Sequence, residues 1–302
     1  MMPSVAAWLL ARPQNAIFAL VFAMLMPGLA MLSGSILLLM VLQLDARRAS
    51  LIAVVAATVL LAIELVASAF DRGGSALQLA IQVALLWLPV MGLAMVMRKT
   101  GSLTLTLQLS VMFVLIGICL FFVQVSDPVV FWQDLMAADP LLQNLSGSLQ
   151  QWQLMIGATD MQFAAIVVAM FAINAWYWLV AIIMLGYWMY SQLPDKSPHF
   201  GRFRDLNFGR VVAVLLAVTS VFAFVFDAAW ILSIALILFA VFWLQAAAMV
   251  HWLKSRGFVP LFAVSAVYVL TILLPQYVFP ALAVLGYTDA WFRYRDRATK
   301  QQ

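Results

Sequence analysis

Eight apolar runs, at about 15–44, 50–69, 77–97, 103–125, 160–191, 209–226, 229–250 and 258–291, take up most of this 302-residue sequence. The runs are continuous and do not alternate apolar with polar residues, so they cannot be strands of a membrane barrel. A helix satisfies its own backbone polar groups, and about 20 apolar residues of it cover the roughly 30 Å of bilayer hydrocarbon. The fold class that follows is all-α: a polytopic transmembrane helix bundle of about 8–10 crossings. The 66% hydrophobic and 9% charged residues agree with this, against about 45–50% and about 25% in soluble domains. No stretch between the runs is long enough to build a soluble core, so a single integral membrane domain over 1–302 is expected. Met1–Leu10 lacks the basic start of a cleaved signal, and the first run is expected to remain as an anchor.

The first and last runs are too long for one span, and each holds a central proline, Pro27 in Met26-Pro27-Gly28 and Pro275 in Leu274-Pro275-Gln276. Each is either one kinked span or a hairpin of two short helices. Charge discriminates between these. With two hairpins, 15 of the 16 Lys and Arg residues fall on one side and only Arg72 on the other. With two single spans the agreement falls to 10 of 16. The positive-inside rule therefore favours hairpins, with both termini in the cytoplasm. The objection is length, since half of 15–44 makes only about 22 Å of helix. Such halves suit re-entrant segments or locally thinned bilayer. The net charge of +4 is thereby read as topology, not as a nucleic-acid surface.

The segment 126–159 has no Lys or Arg and is expected on the periplasmic side. Asp127-Pro128 and Asp139-Pro140 each read as an N-cap followed by proline at the first helical position. Leu141, Leu142, Leu145, Leu149 and Trp152 then recur at helical spacing, opposite Gln143, Asn144, Gln150 and Gln151, which describes an amphipathic helix lying on the membrane. Thr159 and Gln162 form a capping-box pattern that opens the next, unusually long span. On the opposite side, the loop 193–210 carries Lys196, Arg202, Arg204 and Arg210, suited to anionic head groups or an acidic partner.

Chemistry-bearing residues are few. Glu64 is the single glutamate of the chain and lies inside an apolar run. A carboxylate at that depth costs about 2.5–3.5 kcal/mol on insertion scales, so it should be paired, protonated or turned to a cavity. Gln78 and Gln82 share a face of the following helix at i, i+4, and a short connection through Arg72 would put Gln82 level with Glu64. The three form a candidate ligand site; a structural clamp between helices is the competing reading. Asn174 is a further candidate within the long span, and Gln245 an ordinary interhelical donor. His199 and His251 stand in no metal-binding pattern, Cys119 is expected to be a buried small hydrophobe, and no nucleophile motif or phosphate loop occurs. No enzyme, cofactor or metal is expected.

Phe258-Val-Pro-Leu-Phe-Ala, Tyr268, Leu274-Pro275-Gln276, Leu285-Gly286, Asp289-Ala290-Trp291 and Tyr294-Arg295-x-Arg297 resemble the C-terminal end of the YybS-like family of predicted bacterial membrane proteins. Ala16–Arg48 is similar to that family's opening. The family is of unknown function and is distantly similar to the substrate-binding subunits of energy-coupling-factor vitamin transporters. In those subunits a small-xxx-small motif contacts a membrane partner subunit, and Ala19 and Ala23 are the matching positions. The resemblance implies a small-molecule or vitamin-precursor binding or transport subunit. The alternative is a membrane scaffold or assembly factor acting through Arg202, Arg204 and Arg210.

Overall fold

The computed structural model describes residues 5–26, 28–44, 46–70, 76–138, 140–193 and 200–299. The described residues are helical almost throughout, with no strand. Six of their helices are long and apolar enough to cross a bilayer: Ala46–Ala67, Ala76–Thr100, Leu103–Gln124, Asp160–Ser191, Gly209–Phe226 and Ala229–Ser255. The chain is a multi-pass, all-α membrane protein. Against the expected eight to ten crossings, the described residues give six helices of spanning length, or seven if the bent pair Val5–Ala11 and Pro13–Leu25 is one span, beside the shorter apolar helices Ala30–Gln43 and Leu261–Leu273. The backbone groups into two compact units, Met1–Ser110 with Trp176–Arg202, and Val111–Ala175 with Phe203–Gln302.

In the first unit, α1 (Val5–Ala11) meets α2 (Pro13–Leu25) at 117°. Pro13 makes this corner, because it starts a helix well but lacks the N–H needed to continue one. After α2 the chain doubles back into α3 (Ala30–Gln43). Ser33 Oγ donates to Leu20 O at 3.4 Å across 13 residues of sequence, a length of straight helix that would hold them about 20 Å apart. The first proline break is thus a hairpin. Its arms have 13 and 14 residues, each too short for about 30 Å of hydrocarbon.

Helix α3 is the hub of this unit, buried on every side from Ser33 to Leu42. It packs against α2, α4 (Ala46–Phe70) and α5 (Ala76–Thr100). Glycines let the C-terminal half of α9 (Asp160–Ser191) come close. A Cβ built on Gly186 would lie 2.7 Å from Ser35 O, and one on Gly34 3.1 Å from the Ile182 side chain. Small residues at helix contacts give membrane bundles their close packing. The hub's polar atoms are served by Trp87 Nε1, which donates to Ser33 Oγ at 3.1 Å, and by Ile182 O, which accepts from Ser35 Oγ at 3.2 Å. Arg98 closes the C-terminal end of α3 by donating to Val41 O at 3.0 Å and to Leu44 O, a cation at the negative end of a helix. Trp176 Nε1 donates to Ser110 Oγ at 2.9 Å near the start of α6 (Leu103–Gln124), with both residues fully buried.

The second unit is built on α11 (Ala229–Ser255), 72% of whose most apolar window is buried. Helix α7 (Pro128–Ala138) begins as expected, with Asp127 Oδ1 accepting from Val129 and Val130 N–H at 2.8 and 3.2 Å. The corresponding cap at Asp139 lies outside the described residues. Helix α8 (Pro140–Ile156) takes the amphipathic segment, and its Leu154 and Met155 are each 77% exposed. The Thr159–Gln162 capping box forms in both directions, at 3.2 and 3.3 Å, and opens the 32-residue α9. The tight turn from α10 (Gly209–Phe226) to α11 runs through Asp227 in the left-handed region (φ 45°), and Gln162 Nε2 donates to its Oδ1 at 3.1 Å.

The second proline break, between α12 (Leu261–Leu273) and α13 (Pro275–Phe292), is also a reversal. Tyr268 on α12 bonds His251 on α11 at 2.9 Å, and Asp289 on α13 accepts from Gln245 on α11 at 3.2 Å. His251 and Gln245 are about 9 Å apart along their helix, whereas a straight run from Tyr268 to Asp289 would span about 31 Å. So α13 returns alongside α11 in the same direction. A Cβ built at Gly286 would overlap the Phe242 carbonyl oxygen, and Ala283 and Ala290 on the same stripe are buried. The helix ends at Arg293 (φ 49°), and α14 (Tyr294–Thr299) follows.

Candidate functional site

The intramembrane residues singled out by sequence are not gathered into an enclosed site. Glu64 is half-buried on α4, while Gln78 and Gln82 are both exposed on α5. Among the described residues the Glu64 side chain forms no hydrogen bond or ion pair, so the competing reading, a clamp between Glu64 and Gln82, is not made. The buried stripe of α5 is Val83, Trp87, Val90, Leu93, Ala94 and Met97, which turns Gln78 and Gln82 outward. Arg72 and the connection around it lie outside the described residues. Asn174 is exposed. Ala23 is buried and Ala19 half-buried inside the first unit, where α2 packs on α3 and α4. Ala23 thus takes part in the chain's own packing. Arg202 and Arg210 are exposed, as expected of a basic loop, and Arg204 is half-buried. Residues 194–199, with Lys196 and His199, lie outside the described residues.

Two features that the sequence did not disclose stand in the second unit. The larger is a cleft of about 520 Å³ between the α8–α9 junction and helices α9, α10 and α11. It exists because Ala223, Ala228, Ala229 and Ala235 are too short to fill the space between the helices. Its walls are Ile166, Leu216, Leu232, Leu236 and Phe239, and its polar groups are few: Ser220, Gln162 and Asp227. The Gln162–Asp227 bond links two of these across the cleft's polar end. Apolar walls with two or three polar groups are the usual makeup of a small-molecule site.

The second feature is a polar knot where α11 and α13 run together. Gln245 is fully buried. Its Oε1 accepts from Phe208 N–H at 2.9 Å, and its Nε2 donates to Gly286 O at 3.1 Å and to Asp289 Oδ2 at 3.2 Å. Asp289 is 1% exposed and pairs with Arg295, whose Nε and Nη2 donate to the same Oδ2 at 3.2 and 2.8 Å. Arg295 Nη1 also donates to Arg204 O at 3.1 Å. Three segments far apart in sequence are thus tied by one amide and one ion pair: the 3-10 turn Phe203–Asp205, α11 and α13 with its tail. The sequence offered one signal for this, a single acid followed by basic residues at the end of the last apolar run, and that signal is indistinguishable from topology-setting charge.

Comparison with protein-family models, with curated proteins and with solved structures finds no match to this chain.

Proposed function

We propose that this chain is a multi-pass subunit of a bacterial inner membrane, with cytoplasmic termini, that binds a small and largely apolar molecule in the α9–α10–α11 cleft. The observation that carries this is the cleft itself. Its 520 Å³ falls inside the roughly 300–1,000 Å³ typical of small-ligand pockets. A ligand that fits it has an apolar body and one or two polar groups for Gln162, Asp227 and Ser220. The two hairpins together with the positive-inside rule support this orientation, in which the Gln162–Asp227 end of the cleft faces outward. A vitamin precursor or another amphipathic solute taken from the outer leaflet suits that address. A kinship with YybS-like proteins, as one integral membrane domain, belongs to the same proposal.

The test is retention of a ligand through purification. Protein extracted in mild detergent is stripped with organic solvent, and the extract is compared by mass spectrometry with that of Ser220→Phe and Ala235→Phe, whose rings fill the cleft. Loss of one compound in both variants, with thermal stability kept, supports the site. The same compound retained equally by both variants refutes it. Glu64→Gln and Gln82→Ala serve as controls and leave retention unchanged. The exposure of Arg202 and Arg210 favours one alternative, a scaffold that docks an acidic partner, and charge reversal at those two positions would then release a co-purifying protein while ligand retention stayed constant.

A further inference from the structure

Beside the polar knot lies a cavity of about 200 Å³ lined by Asp205, Asn207, Trp252, Asp289, Arg293 and Arg295. We propose that it is a second binding site, for a small zwitterion that carries an N–H-bearing amine and an acid group, the chemistry of phosphoethanolamine. The site is independent of the α9–α10–α11 cleft.

The first ground is an unsatisfied acceptor. Asp289 is 1% exposed, and its Oδ2 takes all three hydrogen bonds while the buried Oδ1 has no partner among the described residues. A buried carboxylate oxygen without a donor costs about 1–3 kcal/mol or more, and an N–H or O–H donor placed in the cavity would recover that. The second ground is charge. The lining holds two acids and two bases, and Asp289 and Arg295 neutralise each other. Asp205 and Arg293 are exposed, and their side chains form no hydrogen bond or ion pair among the described residues, so one acid and one base remain to be matched. Asn207 spends its Oδ1 on Gly209 N–H at 2.8 Å, which leaves its NH2 group as a further donor. A simple cation would meet Asp205 and Asp289 but face the arginines, and a simple anion would meet the reverse. A molecule with both charges satisfies all of them. The volume is below the roughly 300 Å³ where drug-sized pockets begin, and it suits a head group or a small solute. The neighbouring Lys254, Arg256 and Arg297 mark this end of the helices as the membrane surface, where either source is within reach.

The test uses the full chain in detergent. Phosphoethanolamine, phosphocholine, ethanolamine and inorganic phosphate are titrated calorimetrically, and protein in nanodiscs of phosphatidylethanolamine or phosphatidylcholine is examined by native mass spectrometry for retained lipid. Phosphoethanolamine should bind, and phosphocholine, which has no N–H to give Asp289, should bind about tenfold more weakly or not at all. Arg293→Asn and Asp205→Asn should each weaken binding about tenfold without moving the melting temperature. Asparagine is the conservative choice at Arg293 because it tolerates the left-handed backbone there. Binding of the free compound identifies a solute site, and retention of phosphatidylethanolamine alone identifies a lipid site. Equal affinity for phosphocholine, unchanged binding by both variants, or no binding of any probe or lipid would overturn the proposal.

Discussion

Replacing Gly286 by alanine should be among the most damaging single-methyl additions available in this chain. The new Cβ would overlap the Phe242 carbonyl oxygen and lie 2.9 Å from its carbon and 3.0 Å from Ala246 N. All three are backbone atoms of α11, so no rotamer change relieves the clash, and α11 and α13 must part by roughly an ångström to regain ordinary contact distances. Overpacking of this kind costs about 1–3 kcal/mol. The same displacement stretches the bonds from Gln245 Nε2 to Gly286 O and Asp289 Oδ2, now 3.1 and 3.2 Å, past bonding distance, and each buried bond lost adds about 1 kcal/mol. The expected destabilisation is therefore about 3–5 kcal/mol, read as a shift in the midpoint of reversible unfolding in mixed detergent micelles. Gly117→Ala is the matched control, since a Cβ there meets nothing within 4 Å, and it should change stability by less than about 0.5 kcal/mol. Gly186→Ala should behave like Gly286→Ala, because its Cβ would lie 2.7 Å from Ser35 O. If Gly286→Ala unfolds within about 1 kcal/mol of the parent, the α11–α13 contact does not hold the second unit together, and the argument from close approach fails.

Gln245→Leu removes the acceptor of Phe208 N–H and the donor to Gly286 and Asp289, and should cost about 2–4 kcal/mol by the same unfolding assay. Arg295→Met leaves the buried Asp289 charge without its cation and should cost about 3–5 kcal/mol. The double variant Asp289→Asn, Arg295→Met should then recover part of that loss, a coupling that a double-mutant cycle measures. Compartment-sensitive reporters placed after Gln302 and between Ala138 and Pro140 should report opposite sides of the membrane, the first cytoplasmic. The same side for both would refute the proposed orientation.

Much of the fold was legible because lipid imposes simple rules. The spans at 103–125 and 209–226 reappear as Leu103–Gln124 and Gly209–Phe226, since their ends are set by where apolar sequence stops. The hairpins at Pro27 and Pro275 could be argued from charge alone, because a misplaced reversal would have moved five cations across the membrane. The caps at Asp127 and Thr159–Gln162 are local hydrogen-bond patterns, and they form as their residues dictate. What sequence could not supply is the direction in which each helix faces. In a soluble protein the polar stripe of a helix marks its outside. Here lipid is as apolar as the bundle interior, and helices such as α6 and α9 show no polar stripe.

That ambiguity explains why Glu64 drew attention and Asp289 did not. Depth in an apolar run measures distance from water along the membrane normal; burial in protein is a separate quantity that depends on which helices become hubs. Helix α4 has only 22% of its window buried, so a carboxylate in its middle can still lie at the protein surface. Asp289 sits near a helix end among arginines, where sequence alone suggests solvent, yet α13 lies flat against the central α11 and takes it to 1% exposure. The residues that foretell this are not the charged ones. They are Ala283, Gly286 and Ala290, a stripe at i, i+3 and i+7 that lets the α13 backbone touch α11. In a bundle solvated by lipid, small residues at helical spacing mark the inward face, and a polar residue next to such a stripe, as Asp289 is to Ala290, is the one to examine for chemistry.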